Sequence, residues 1–488
     1  MNIWLPLLTL MSSFLTAVII FFVPDRMATL RGTVNIVGAV SKLGLVALML
    51  GGVAAGEVYE LRLAIAPGLD LLLRVDALCL LFLSLSAFLW LLTTVYAMAY
   101  LGDGPDQSRF FGFFSLCVAA TTGIALSGTL ITFFIFYEML TLSTWPLVTH
   151  KGDRASIAAG HKYLAYTLGG SAVLLIGMVW LESMAGPVEF AERDSLIGLD
   201  RTSLQWIFLL LIAGLGVKAA LIPLHGWLPA AMVAPAPVSA LLHAVAVVKA
   251  GAFGIIRVVY DVYGFNLVHT LGVGLPLAVL ASATIIYGSL RALQQVDIKR
   301  RLAFSTVSQI SYIILGAALV SPAATLGGLV HLVHQGLMKI TLFFCAGALA
   351  ERIQVTRIDQ MNGIGRIMPL TMFAFSVAAL GMIGAPPIAG FISKWQLGIG
   401  GLEAGQPWVI FVLALSSLLN AAYFLPLVYR AWFLPGPHAH APGRDWPPML
   451  IWPAVITAMA ALLAGLFAGT EFSPLGWARM ILQQAYDQ

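Results

Sequence analysis

Apolar runs of about 20 residues recur from one end of the sequence to the other, and each can cross a hydrocarbon layer about 30 Å thick. The pattern predicts spans at residues 3–23, 33–52, 75–100, 110–126, 129–149, 161–182, 205–222, 236–260, 270–290, 302–320, 323–350, 367–400, 408–433 and 449–470. Inside a bilayer every backbone amide must find its partner within the chain, so such runs are expected to be helices. The expectation is an all-α polytopic membrane protein of about 14 transmembrane helices in a single membrane domain, 1–488. Pro223 and Pro229 interrupt the seventh span, and Gly384, Pro386, Pro387 and Gly390 interrupt the twelfth. Proline removes a backbone donor and clashes with the preceding turn, so neither span is expected to be one continuous helix. The first run has no charged leader and no small-residue cleavage site, and reads as a retained helix, not a signal peptide.

Each broken span carries a lysine near its break, Lys218 before Pro223 and Lys394 after Pro387, and the two spans sit five helices apart. Interrupted helices in corresponding positions of two halves point to a transport site near the bilayer midplane, typically built from inverted repeats. The chain then divides into three N-terminal helices (1–105), a first five-helix repeat (110–260), a second (270–433) and a C-terminal helix (434–488).

Composition agrees: 60% of residues are hydrophobic and 10% charged, against about 25% charged in a soluble domain. The net charge of +4 reports topology more than an anionic partner, and no nucleic acid binding is expected. Loops after odd-numbered spans hold most of the Lys and Arg, Arg444 among them; those after even-numbered spans hold only Arg62, Arg74, Arg193, Arg201 and Arg257. Basic loops stay in the cytoplasm, which puts both termini on the other side of a bacterial or archaeal inner membrane. Cys79, Cys117 and Cys345 are scattered through apolar segments, and no nucleotide fingerprint, haem or iron–sulfur ligand set is visible. No metal or cofactor is expected, and any electron transfer belongs to partner subunits.

Five lysines remain inside apolar spans, Lys42, Lys218, Lys249, Lys339 and Lys394, whereas no arginine is assigned to mid-span. Arginine stays charged, but a desolvated lysine can give up its proton near neutral pH. A shift of about 3 pKa units is worth about 4 kcal/mol, and about 100 mV across the membrane is worth roughly 2.3 kcal/mol per charge. The energies are comparable, so a neighbouring charge or the membrane potential can switch such an amine. Glu138, in FFIFYEMLTLSTW, is the one carboxylate read as lying well inside a span, and its natural partner is a buried lysine. His331 and His334 lie three apart on one helix with Lys339 following, and His243 precedes Lys249. Histidine can hand protons between such amines. The plain alternatives are snorkelling lysines, structural ion pairs and packed helix histidines. For Lys42, which has no partner motif, that plain reading is the better one.

Several stretches resemble a known family: RVDALCLLFLSL from Arg74, FFIFYEMLTLSTWPLV from Phe133, the long segment GVKAALIPLHGWLPAAMVAPAPVSALLHAVAVVKAGAFGIIR from Gly216, QQVDIKRRLAFSTVSQISYIILG from Gln294, HLVHQGLMKITLFFCAGAL from His331 and GAPPIAGFISKW from Gly384. They are similar to the proton-conducting membrane transporters, which include the Mrp antiporter proteins and the antiporter-like subunits of respiratory complex I and membrane-bound hydrogenases. The resemblance implies two inverted five-helix repeats with helices seven and twelve broken. It implies that Glu138 pairs with Lys218, that Lys249 bridges, that Lys339 is the central lysine and that Lys394 stands at the exit. Lysine at 394, with the length of 488, resembles the Mrp D type. One departure is Gln335, where the family often has histidine four residues before the central lysine; His334 is one position off.

The function expected is a proton-translocating, antiporter-like subunit of a multisubunit membrane complex, Mrp D-like, exchanging H+ for Na+ and packing in the bilayer beside other membrane subunits. The alternatives are a proton-pumping subunit of a complex I-like NADH-quinone oxidoreductase or membrane-bound hydrogenase, a proton-energised partner of a cytoplasmic enzyme such as an inorganic-carbon uptake complex, and a stand-alone solute carrier.

Overall fold

A computed structural model describes residues 2–66, 69–102, 104–190, 195–436, 445 and 447–486. Arg193 and Arg444, two of the loop cations used for orientation, lie outside the described residues. The chain is a multi-pass helical membrane protein. Its helices are α1 (Leu5–Phe22), α2 (Ala28–Ala54), α3 (Ala77–Leu101), α4 (Gln107–Leu126), α5 (Leu130–Val148), α6 (Arg154–Ala185), α7 (Arg201–Lys218) and α8 (Ala236–Val262). There follow α9 (Gly264–Leu271), α10 (Gly274–Leu293), α11 (Ile298–Ala318), α12 (Pro322–Ile353), α13 (Pro369–Ile383), α14 (Ala389–Glu403), α15 (Trp408–Phe433), α16 (Pro448–Leu466) and α17 (Pro474–Tyr486). Polar caps start many of them: the side chains of Asp76, Thr129, Asp153, Asp200, Asp297 and Ser321 each accept a first-turn backbone N–H.

Among the described residues, 12 helices are long and apolar enough to cross a bilayer. Two of the predicted spans are not in that set, for different reasons. α13 and α14 are 15 residues each, separated at Gly384, whose φ of +98° ends the first. α11 opens with Lys299, Arg300 and Arg301 and continues with Ser305, Thr306, Ser308, Gln309, Ser311 and Tyr312. It is too polar for lipid, and the fold answers by enclosing it: nearly every residue from Arg301 to Ala318 is buried. The apolar windows of α8 and α12 are likewise fully buried, so the lysines and histidines that they carry lie in protein and not against lipid.

Three expectations change. The connection between the second and third spans is a β-hairpin, β1 (Tyr59–Ala66) paired antiparallel with β2 (Leu69–Val75), so the chain is not purely helical. Alternation of apolar Tyr59, Leu61 and Leu63 with Glu60 and Arg62 supplies the period of two that a strand needs. Arg257, assigned to a loop, is 2% exposed inside α8, where it donates to Asp76 at 2.7 and 3.0 Å and to Asp261 at 2.7 Å. Arg31 of α2 and Arg301 of α11 are also buried, so arginines do enter the helices, each with acceptors at hand. Third, α8 is not uniform: Leu241–Val245 and Val258–Val262 are π-turns, and Ala246 between them is bent out of helical geometry.

Candidate functional site

α7 ends at Lys218, and the chain turns through Ala220 at φ +59° before two short 3-10 turns and one helical turn lead into α8. The turn leaves the Lys218 amine facing α5. There it donates to the Tyr137 carbonyl at 2.5 Å and lies 3.3 Å from the centre of the Tyr137 ring. The expected direct ion pair with Glu138 is not formed: among the described residues no carboxylate lies within 4.0 Å of the Lys218 amine. Successive residues of a helix point about 100° apart, so contact with Tyr137 turns Glu138 aside. Glu138 is half-buried and accepts from Ser171 of α6 and, at 3.4 Å, from Thr141.

Lys249 follows the π-turn of α8 and crosses to α12, where its amine donates to the Leu332 carbonyl. The crossing is possible because residue 336 is glycine: a Cβ there would sit 2.9 Å from the Lys249 amine and 2.9 Å from Leu85 Cδ2. Lys339, two turns further along α12, donates to Ser305 and, at 3.3 Å, to the Leu302 carbonyl, both on α11. His331 bonds in two directions, Nδ1 to Ser393 Oγ at 2.7 Å and Nε2 to Gln309 Oε1 at 3.1 Å. Ser393 is the residue before Lys394. The Lys394 amine donates to the carbonyls of Met382 (3.1 Å) and Ile383 (2.8 Å), which the break after α13 leaves open, and to Ser417 Oγ (3.0 Å).

The contacts set an order along this line. His331 sits beside Lys394, whereas Lys249 meets α12 between His331 and Lys339. His243 is not brought to Lys249: its ring packs 4.6 Å from that of Phe343, beyond the bend at Ala246. His334 faces the backbone at Ala389 without closing a hydrogen bond. Both ring nitrogens of His243 and His334, and both polar atoms of Gln335, are buried without a protein partner among the described residues. A buried polar group left unpaired costs about 1 to 3 kcal/mol, which makes this centre a place for internal water.

What sequence reasoning missed is the polar face of α11, a helix that it did place, at 302–320. Ser305, Gln309 and Tyr312 lie on one of its faces and meet, in turn, Lys339, His331 and the Lys394 amine, the last 5.3 Å from the Tyr312 ring centre. The Tyr312 hydroxyl continues to Ser416 at 2.7 Å. The signal was available as hydroxyl and amide side chains at helical spacing in an otherwise apolar run, FSTVSQISY. Titratable residues alone point to the amines and not to the groups that connect them.

Among the described residues no cluster of His, Cys, Asp or Glu could hold a metal ion. Lys42 is fully buried, away from this line, and donates to Thr122. It neither snorkels nor forms an ion pair within 4.0 Å among the described residues.

Residues 127–420 match the family described as NADH:quinone oxidoreductase/Mrp antiporter, transmembrane. The chain is 38% identical over 402 residues to the N-type subunit of NADH-quinone oxidoreductase from Desulforudis audaxviator, covering 78% of this chain and 79% of that one. It is 30% identical to the L-type subunit from Mycobacterium tuberculosis, over 81% of this chain and 63% of that longer protein. It is 27% identical to the D-type subunit of the Na(+)/H(+) antiporter from Bacillus subtilis, over 82% and 81%. A chain in the structure of the Mrp complex from Dietzia sp. is similar over 100% of this chain and 98% of its own, at 26% identity and a TM-score of 0.87. A chain of respiratory complex I from Thermus thermophilus shares the fold, at 22% identity and a TM-score of 0.83, over 98% of this chain and 99% of its own. With residues 127–420 matched and a relative 38% identical over most of both chains, the chain belongs to the NADH:quinone oxidoreductase/Mrp antiporter family of membrane subunits.

Proposed function

We propose that this chain carries protons across the membrane along Glu138, Lys218, Lys249, Lys339, His331 and Lys394, as one antiporter-like subunit of a multisubunit membrane complex. The observation that carries the reading is the enclosure of the amines. Lys218, Lys249 and Lys339 have no exposed surface and Lys394 is 9% exposed, yet among the described residues each is held by neutral carbonyls and hydroxyls and not by a carboxylate. An amine so held has no fixed counter-ion, so its charge can come and go with the charge beside it. Ser, Gln and His side chains link the amines, and the unpaired atoms of His334 and Gln335 support water in the gaps.

Fourteen spans, arranged as inverted repeats over 110–260 and 270–433 with both termini outside the cytoplasm, fit this reading. In it the interruptions at Lys218 and near Lys394 serve the two halves of one path. Glu138→Ala or Lys218→Ala is expected to abolish pH-gradient formation in everted vesicles while the complex still assembles. Unchanged pumping in both variants removes the pathway.

The complex that recruits the chain is better read as a redox-driven, complex I-like one than as the Mrp-type exchanger suggested by Lys394. Identity to the N-type subunit of an NADH-quinone oxidoreductase is 38%, against 27% to the D-type subunit of an Na(+)/H(+) antiporter. The Mrp reading keeps one support, the likeness to the Dietzia complex over the whole chain. Purification with native partners separates them: hydrophilic redox subunits and sodium-independent pumping favour the first, small membrane subunits and sodium-dependent exchange the second.

A further inference from the structure

The proposed path leaves one buried amine unused. Lys42 of α2 has no exposed surface, and its described contacts are the Thr122 hydroxyl of α4 and the Trp90 ring of α3, centred 5.4 Å away. An ammonium carries three donors, and these contacts occupy one of them directly.

Lys42 is the last rung of a ladder across the parallel helices α2 and α4. Arg31 donates to Gln107 and, at 3.2 Å, to Ser108; Ser115 donates to Asn35 Oδ1 at 3.1 Å; Lys42 donates to Thr122. With a rise of about 1.5 Å per residue, the rungs on α2 stand about 6 and about 10 Å apart, steps that one to three waters span. The inner end is open and charged. Asp25 lies 3.8 Å from Arg31 and accepts the Ser108 backbone N–H at 2.8 Å; that bond, offset by partial burial and helped by Arg31, holds its carboxyl below the usual carboxylate range. Beyond Lys42 the same face of α2 continues as Val46, Met49 and Val53, all buried and apolar, so the ladder stops at the amine.

The third wall carries an independent signal. Trp90 Nε1 and Thr94 Oγ1 of α3 are buried without a protein partner among the described residues, and their four-residue spacing puts them on one face, the face whose Trp90 borders Lys42. Two unpaired polar atoms one turn apart are explained together if water runs in the seam.

We propose that Lys42 is a second proton-binding site, a hydrated dead end between α2, α3 and α4 that fills and empties from the end carrying Asp25, Arg31 and Gln107, separate from the line through Lys218. A proton arriving on water forms the third N–H of the amine and leaves by the same route. The groups bearing on the site are Asp25 and Arg31 at the mouth, Asn35 and Ser115 along it, and Thr122 and Trp90 at the amine.

Accessibility tests the seam without relying on the proposed path. In the intact complex, Lys42→Cys and Thr94→Cys are expected to react with a small water-soluble methanethiosulfonate at least about tenfold faster from the Asp25 side than from the opposite side, and adding Asn35→Leu slows the reaction. No reaction from either side, or equal rates from both, overturns the proposal. Proton exchange is tested by the pH profile of pumping. Arginine keeps the charge but does not release its proton, so Lys42→Arg is expected to shift the profile as Lys42→Met does. A Lys42→Arg profile matching the unmodified complex marks a fixed structural cation and overturns the assignment.

Discussion

His331 Nδ1 lies 2.7 Å from Ser393 Oγ, and Ser393 immediately precedes Lys394, so one hydroxyl joins the long helix α12 to the broken pair α13 and α14 at the amine proposed for the exit. Ser393→Ala removes that hydroxyl and leaves His331 bound to Gln309 alone. Pumping is expected to fall about tenfold, equivalent to about 1.4 kcal/mol. Ser393→Thr, which keeps the hydroxyl, is expected to restore most of it. Initial rates of pH-gradient formation in everted vesicles compare the three.

The Lys249 amine occupies space that exists because residue 336 lacks a side chain. A Cβ at Gly336 would approach both Lys249 and Leu85 to 2.9 Å, and both contacts are with the far ends of flexible side chains. Gly336→Ala is therefore expected to leave the fold intact and displace the amine, lowering pumping. Adding Leu85→Ala opens room on the other side and is expected to recover part of the loss, a coupling that a double-mutant cycle measures.

Gln335 is buried, both its polar atoms unpaired among the described residues, and lies one turn from both His331 and Lys339. Gln335→His places a titratable ring at that position and is expected to sustain pumping. Gln335→Leu keeps the volume but gives water nothing to bond, and pumping is expected to drop. Equal rates in both variants would show that this turn takes no part in transfer.

Arg257 joins α8 to the start of α3 through Asp261 and Asp76. Removing it leaves two carboxylates together, one of them on a side chain only 11% exposed, so Arg257→Met is expected to cost about 3 kcal/mol of stability. The loss is expected to appear as earlier thermal unfolding of the purified complex in detergent.

The sequence carried the spans clearly, since about 20 apolar residues in a row have few other uses. It also singled out Lys218, Lys249, Lys339 and Lys394, because an amine in an apolar run is costly and therefore conspicuous. What it hid depends on contacts between distant residues. The neighbour that Lys218 actually touches is Tyr137 through a backbone carbonyl, and carbonyls have no sequence signature. Arg257 read as a loop residue because Asp76, far upstream, joins Asp261 one turn on as its partner only when α3 and α8 pack. The first π-turn of α8 likewise leaves an ordinary helical pattern in LLHAVAVVKAGAF.

Lys249 stands where the two halves of the proposed line meet, its amine against the α12 backbone at Leu332. The most direct measurement is the initial rate of pH-gradient formation in everted vesicles containing assembled complex with Lys249→Met, a substitution close in shape that holds no proton. Loss of the gradient, with the subunits still present in ordinary amounts, is the predicted result. A rate equal to that of the unmodified complex would contradict transfer through the buried amines.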